Sequence, residues 1–115
     1  MSKNMQLQTL VRGLKRLSID NQAKLWKRIA TDLERSTRNR RAVNVYKIDA
    51  HAKDGEIIIV PGKVLGDGEM TKKVTVAAYQ FSDIAREKIA KNGKVLTIQE
   101  LMKQNPKGAK VRILG

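Results

Sequence analysis

The densest grouping of chemically capable residues in the chain is Arg35-Ser36-Thr37-Arg38-Asn39-Arg40-Arg41, with four arginines in seven positions and no acid. Such a run repels itself in water and cannot be buried without partners, so it calls for a polyanion. A nucleic-acid phosphate backbone fits that need. A solvated hinge is the bland alternative for any single basic run, and the rest of the chain tips the balance toward nucleic acid.

Four other groupings carry weaker signals. Gly62-Lys63-Val64-Leu65-Gly66-Asp67-Gly68 is glycine-rich and holds a lysine, the raw material of a phosphate cradle. It lacks the Gly-Lys-Ser/Thr ending of a nucleotide loop and opens no helix pattern, so turn glycines between strands explain most of it. His51 is the only histidine; Asp49, Asp54 and Glu56 flank it, the residue types of a metal or acid–base site. No second histidine and no cysteine supports that reading, and all four surround a turn. Lys72-Lys73 make a second basic point, and Ser82-Asp83 pairs a hydroxyl with a carboxylate but has no base nearby. A helix cap is the better account of Ser82. No catalytic constellation survives, and no enzyme is expected.

Charge reinforces the nucleic-acid reading. The 115 residues hold 24 Lys and Arg against 11 Asp and Glu, a net +13 whose self-repulsion a polyanionic partner would relieve. Residues 1–48 contribute +9 and residues 49–115 only +4, so the first half dominates long-range steering. Aromatic residues are scarce: Trp26, Tyr46, Tyr79 and Phe81. Base-stacking platforms present several aromatics on one surface, so phosphate, sugar and shape recognition is the expectation here. With no cysteine, disulfides and thiolate metal sites are excluded. No stretch reaches the length of a membrane span and the first residues lack a signal-peptide core, so a soluble intracellular protein is expected.

These residues need elements to position them. Leu7, Leu10, Val11, Leu14 and Leu17 recur at helical spacing and predict an amphipathic helix over 4–17, started by Asn4, with Gly13 in its interior. That glycine costs about 1 kcal/mol relative to alanine and would let another backbone approach. Ser18 or Asp20 caps a second helix to about Glu34, with Leu25, Trp26, Ile29 and Leu33 as its apolar face. The short connection makes the two antiparallel. Packing on the rest of the protein explains these stripes better than a membrane surface does.

After the arginines the period changes. Val43, Val45 and Lys47 alternate as in a short strand, while 46–52 fits the start of a helical turn equally well. Ile57 to Val60 is a continuous apolar run, the mark of a strand buried on both faces, and Pro61-Gly62 ends it. Val74 to Ala78 is a second strand. Ser82 caps a helix to about Lys91, with Ile84, Ala85, Ile89 and Ala90 toward the core; Asn92-Gly93 closes it in the usual C-terminal manner. Val95-Leu96 is a brief strand, Thr97 and Glu100 form a capping box for a helix to Lys103, and Val111 to Leu114 is a last strand. The result is an α/β protein of one domain, 1–115, with a helix pair (4–34), a basic link (35–41) and a strand/helix core (43–115).

Val43-Asn44-Val45, Asp54-Gly55, Val60-Pro61-Gly62-Lys63-Val64-Leu65-Gly66-Asp67-Gly68 and Lys73-Val74-Thr75-Val76-Ala77-Ala78 together resemble the large-subunit ribosomal protein L-eighteen-e family of archaea and eukaryotes. Phe81-Ser82, Ala85-Arg86-Glu87-Lys88-Ile89 and Val111-Arg112-Ile113-Leu114 continue the likeness, as does the helix pair with Trp26. The short length is similar to archaeal members. One departure is Asn92-Gly93, where the family often has two glycines; asparagine also tolerates a left-handed backbone.

The resemblance implies an irregular strand–strand–helix repeat, a fold shared with the C-terminal part of ribosomal protein L-fifteen, with the N-terminal helices added. It implies a cytoplasmic structural protein of the large ribosomal subunit that binds large-subunit rRNA beside neighbouring ribosomal proteins. No cofactor, small-molecule substrate or membrane is implied. On that basis Arg35, Arg38, Arg40 and Arg41 would take phosphate oxygens, with guanidinium geometry suited to bidentate contact. Lys47, Lys63, Lys72 and Lys73 would act as point charges, and Asn44 would bond a sugar or base. The rival is a free-standing DNA-binding or nucleoid protein with the helix pair acting as a helix-turn-helix. Lys24, Lys27 and Arg28 lend that helix charge but little with which to read bases.

Overall fold

Nine consecutive residues of one strand, Ile57–Leu65, organise the structure, a computed structural model that describes residues 2–34 and 41–114. The elements run α1 (Ser2–Asn21), α2 (Lys24–Glu34), β1 (Arg41–Asn44), α3 (Val45–His51), β2 (Ile57–Leu65), β3 (Thr75–Phe81), α4 (Asp83–Asn92), β4 (Lys94–Thr97), α5 (Ile98–Gln104) and β5 (Val111–Ile113). All the strand pairings are parallel. The order is β1-β2-β3-β4, with β5 sharing the outer edge of β2.

Because side chains alternate across a strand, the apolar runs of β2 and β3 supply two cores at once. Ile58 and Val60, with Val76 and Ala78, face Ile48 of α3 and Ala85 and Ile89 of α4. Ile59 and Ala77 face the opposite way, onto Leu14, Trp26, Ile29 and Leu33 of the helix pair and Leu101 of α5. The sheet therefore lies between two helical layers. The expected irregularity of the repeat is visible: β2 runs to β3 without a helix, whereas β1, β3 and β4 each lead into one.

Pro61-Gly62 does not end the strand. β2 continues to Leu65 through a bulge, since Val60 pairs with Ala78 and Lys63 with Gln80, so that two residues oppose one. On the other edge β5 pairs no further than Ile59, and β1 begins opposite Gly62. Pro61 thus falls in the gap between two partners, where its missing N–H breaks no ladder.

The helix pair is present with a different boundary. Ser18 and Asp20 lie inside α1 and cap nothing, because no breaker stands between Ser18 and Asn21. The helix stops where Gln22 turns left-handed (φ 51°), with Gln22 N–H on the Ile19 carbonyl (3.3 Å) and Ala23 N–H on that of Ser18 (3.0 Å). This is a Schellman end built on glutamine instead of glycine. Buried Trp26 donates its indole N–H to the Pro106 carbonyl (2.7 Å), tying α2 to the segment before β5.

Three further expectations change. β1 stops at Asn44, and Val45 opens α3 as a buried residue, so the helical alternative for 46–52 holds. Ile84 and Ala90 point outward, Ile84 being 59 % exposed, because α4 seats Ala85 and Ile89 against the sheet. Asn92-Gly93 forms no left-handed cap: Gly93 has φ −135°. Its role is close approach, as a Cβ there would stand 1.9 Å from the Val74 carbonyl oxygen. Ser82 and the Thr97/Glu100 box cap α4 and α5 as expected.

The glycines predict opposite outcomes. Gly93→Ala should lower stability by about 1–3 kcal/mol, since β3 and β4 would have to part. A Cβ on Gly13 would meet only Met102 Cε at 3.5 Å, so no backbone approaches that glycine. Gly13→Ala should therefore raise stability by about 0.5–1 kcal/mol. Thermal unfolding of both variants checks the pair, and equal shifts of one sign would refute the assignment.

Candidate nucleic-acid interface

Of the arginines in the basic link, Arg35, Arg38 and Arg40 lie outside the described residues, as does the side chain of Arg41. The backbone of Arg41 is placed at the start of β1, opposite Gly62. Asn44 ends β1 opposite Leu65; its backbone is extended (φ −83°, ψ 154°) and its side chain makes no cap bond to α3. Lys47 is exposed in the first turn of α3, and Lys63 is exposed on β2 in register with Ala42 and Gln80. These positions share the C-terminal third of the sheet.

Lys72 and Lys73 do not join them. Lys73 precedes β3, whereas Gln80, level with Lys63, is near its end. Near-extended chain between the two covers roughly 20 Å at about 3.3 Å per residue. The predicted basic residues therefore divide between the two ends of the strands.

Lys72 is committed within the protein. Its ammonium donates to the carbonyls of Asp49 and Ala52, the latter at 2.7 Å, where the last turn of α3 leaves acceptors without helical partners. Asp49 in turn accepts from the Thr71 N–H and hydroxyl, both at 2.9 Å. Lys88, which no motif assigned a role, donates to the carbonyls of Gly66 (2.8 Å) and Gly68 (2.6 Å). It holds the glycine loop, whose Asp67 carbonyl accepts the Tyr46 N–H at 2.9 Å. Gly68 has φ +98°, and a Cβ there would stand 2.4 Å from the Cβ of Tyr46. No side chain other than hydrogen fits.

The residues around His51 are equally structural. His51 is exposed and offers its carbonyl to Arg112 Nη1 (3.0 Å), Asp54 accepts the Lys73 N–H (2.8 Å), and Glu56 accepts the Lys53 N–H (2.7 Å). Among the described residues no group of His, Asp and Glu is arranged to hold a metal. Ser82 accepts the Ala85 N–H at 3.2 Å, the cap expected of it. Arg86 lies over the Phe81 ring, 5.6 Å from its centre, packed by cation–π attraction.

The Thr71 backbone amide holds the Asp49 carboxyl below its ordinary range, helped by the Thr71 hydroxyl and the Lys72 ammonium. The Lys53 amide does the same for Glu56, with Arg112 adding to it, and the Thr97 amide does so for Glu100. A carboxylate favoured in the folded state stabilises fully above its unfolded pKa and loses that contribution as pH falls through its folded value. Asp49→Asn should therefore be less stable than the parent at pH 7, with the gap narrowing below about pH 4. Urea unfolding at several pH values checks this; a gap independent of pH would show that the charge of Asp49 is immaterial.

Comparison with known proteins places the chain. The family described as "Ribosomal protein 60S L18 and 50S L18e" matches residues 1–115. The large ribosomal subunit protein eL18 of Methanospirillum hungatei is 48% identical over 112 residues, covering 96% of this chain and 93% of that protein. Its counterpart in Methanococcus maripaludis is 45% identical over 116 residues, covering 100% and 97%. That of Thermoplasma volcanium is 44% identical over 105 residues, covering 90% and 86%. With the whole length matched and nearly half the residues shared across archaeal relatives, this chain belongs to the ribosomal protein family of 60S L18 and 50S L18e.

Proposed function

We propose that the chain is a structural constituent of the large ribosomal subunit that binds large-subunit rRNA through its basic surface and performs no catalysis. One observation carries this reading: the relatives it matches over nearly their full length are named large ribosomal subunit proteins. Charge supports it independently, because +13 on 115 residues suits a phosphate backbone. The family is one of ribosomal proteins and not of enzymes.

In this reading Arg35, Arg38, Arg40 and Arg41 fork onto phosphate oxygens as the chain enters β1. Lys47 and Lys63 add point charges at the same end of the sheet, and Asn44 offers its amide to a sugar or base. Lys72 contributes indirectly, by fixing the loop that presents Lys73. The α/β platform sets the spacing of these groups, and neighbouring ribosomal proteins pack beside the same rRNA.

Binding should be steeply salt-dependent. If roughly six to ten phosphates are engaged, affinity for large-subunit rRNA should fall by about 10³–10⁵ between about 50 and 200 mM salt. Replacing Arg38, Arg40 and Arg41 with alanine should flatten that slope while leaving thermal stability unchanged. Filter binding against rRNA and duplex DNA at matched salt checks both points. A flat slope would sink the phosphate-contact model, and equal affinity for DNA would favour a nucleoid role.

A further inference from the structure

We infer that the N-terminal end of the sheet is a second phosphate-binding surface, built by Lys53, Lys73, Lys94 and Lys110, so that the protein bridges two segments of RNA. The inference rests on the rRNA reading above and adds a surface to it. The sequence motifs single out only Lys73 of the four. The fold assembles the others.

Register brings them together. Val111, Ile57, Thr75 and Lys94 lie level across β5, β2, β3 and β4, so Lys110 and Lys94 stand three strand spacings apart, about 14 Å. Lys53 and Lys110 line one shallow cleft, Lys73 and Lys94 line the next, and Gly55 lies between and borders both. The space where a Cβ of Gly55 would sit is open for 4 Å, so a polymer backbone can come down onto the main chain there.

The four ammonium groups are available. All four lysines are exposed, and among the described residues none of their ammonium groups makes a salt bridge or a hydrogen bond. Lys72 and Lys88 show what a committed lysine looks like in this protein. Of the acids in these clefts, Asp54 accepts the Lys73 amide, and Glu56 accepts the Lys53 amide, pairs with Arg112 (3.3 Å) and feels the charge of the Lys53 ammonium. The surface thus keeps a net positive charge, with Lys73, Lys94 and Lys110 clear of both acids' ion pairs. Lys110 has a left-handed backbone (φ 59°), a conformation that glycine adopts with less strain, which makes Lys110→Gly a substitution the fold accommodates.

The chemistry of this end favours nucleic acid over protein. Lysine is depleted in protein interfaces, which rely on aromatic and apolar anchors. The large apolar side chains exposed among the described residues are Ile19, Tyr46 and Ile84, and none borders these clefts. Ile57 and Val111, which also line the first cleft, are only partly exposed, and lysines without a large exposed apolar anchor suit phosphates. The two basic ends of the sheet face opposite directions, so each takes its own RNA segment.

Hydroxyl-radical footprinting of the full chain on a large-subunit rRNA transcript tests this. The parent should protect two separate segments. Lys53→Ala/Lys73→Ala/Lys94→Ala should lose one and keep the other, with the salt slope reduced by about 0.7–0.9 per lysine removed. Lys110→Gly relieves the backbone while deleting a charge, so it should weaken that same segment without loss of thermal stability. That combination separates contact from fold. Footprints and slopes matching the parent in both variants would overturn the inference and leave the rRNA reading standing. No protection by the parent would overturn both.

Discussion

A parallel sheet has two apolar faces, and each must be covered. In β2 and β3 every position from Ile58 to Val60 and from Val76 to Ala78 is buried, alternate residues serving opposite cores. Burying one such aliphatic side chain stabilises by about 1.5–3 kcal/mol, so neither helical layer is dispensable. This explains why a leading helix pair is present at all. Without Trp26, Ile29 and Leu33 on one side, Ile59 and Ala77 would face water.

That constraint also dictates where charge can go. With helices on both faces, no charged or polar side chain is buried among the described residues, and the cations are left to the helix exteriors and the two ends of the strands. At those ends they divide by role. Lys72 and Lys88 satisfy carbonyls that the backbone leaves open at a helix terminus and in the glycine loop. Lys63 and Lys73 are exposed to solvent. Lysines alike in sequence thus differ in function according to which carbonyls lie within reach.

The bulge at Pro61-Gly62 links the two ends. It lets one long strand serve β5 on its first third and β1 on its last, so the backbone of Arg41 and Ala42 enters the sheet beside Gly62 and Lys63. A strand cut off at Pro61 would have no edge for β1. The glycine loop beyond it is fixed by Lys88 and by Tyr46, which holds this end of the molecule in one shape.

Sequence alone determined the class of most segments and pointed to the partner class of the whole. The apolar run Ile57–Val60, the Ser82 cap and the Thr97/Glu100 box were legible because periodicity and capping are local properties, set by residues within a turn of one another. Net charge and the family motifs pointed to rRNA for a similar reason, since neither depends on how the chain is folded. Tertiary structure decided the rest. Nothing near Pro61 says that β5 will have ended and β1 not begun, nothing near Gln22 says that it will close a helix, and nothing near Gly93 says that Val74 will lie against it. Whether a lysine is committed or available, and which lysines share one end of the sheet, follows from pairings between residues far apart in the chain. The apolar runs announce burial on both faces of the sheet, but which strands lie side by side is settled by contacts between distant segments, which no local pattern encodes.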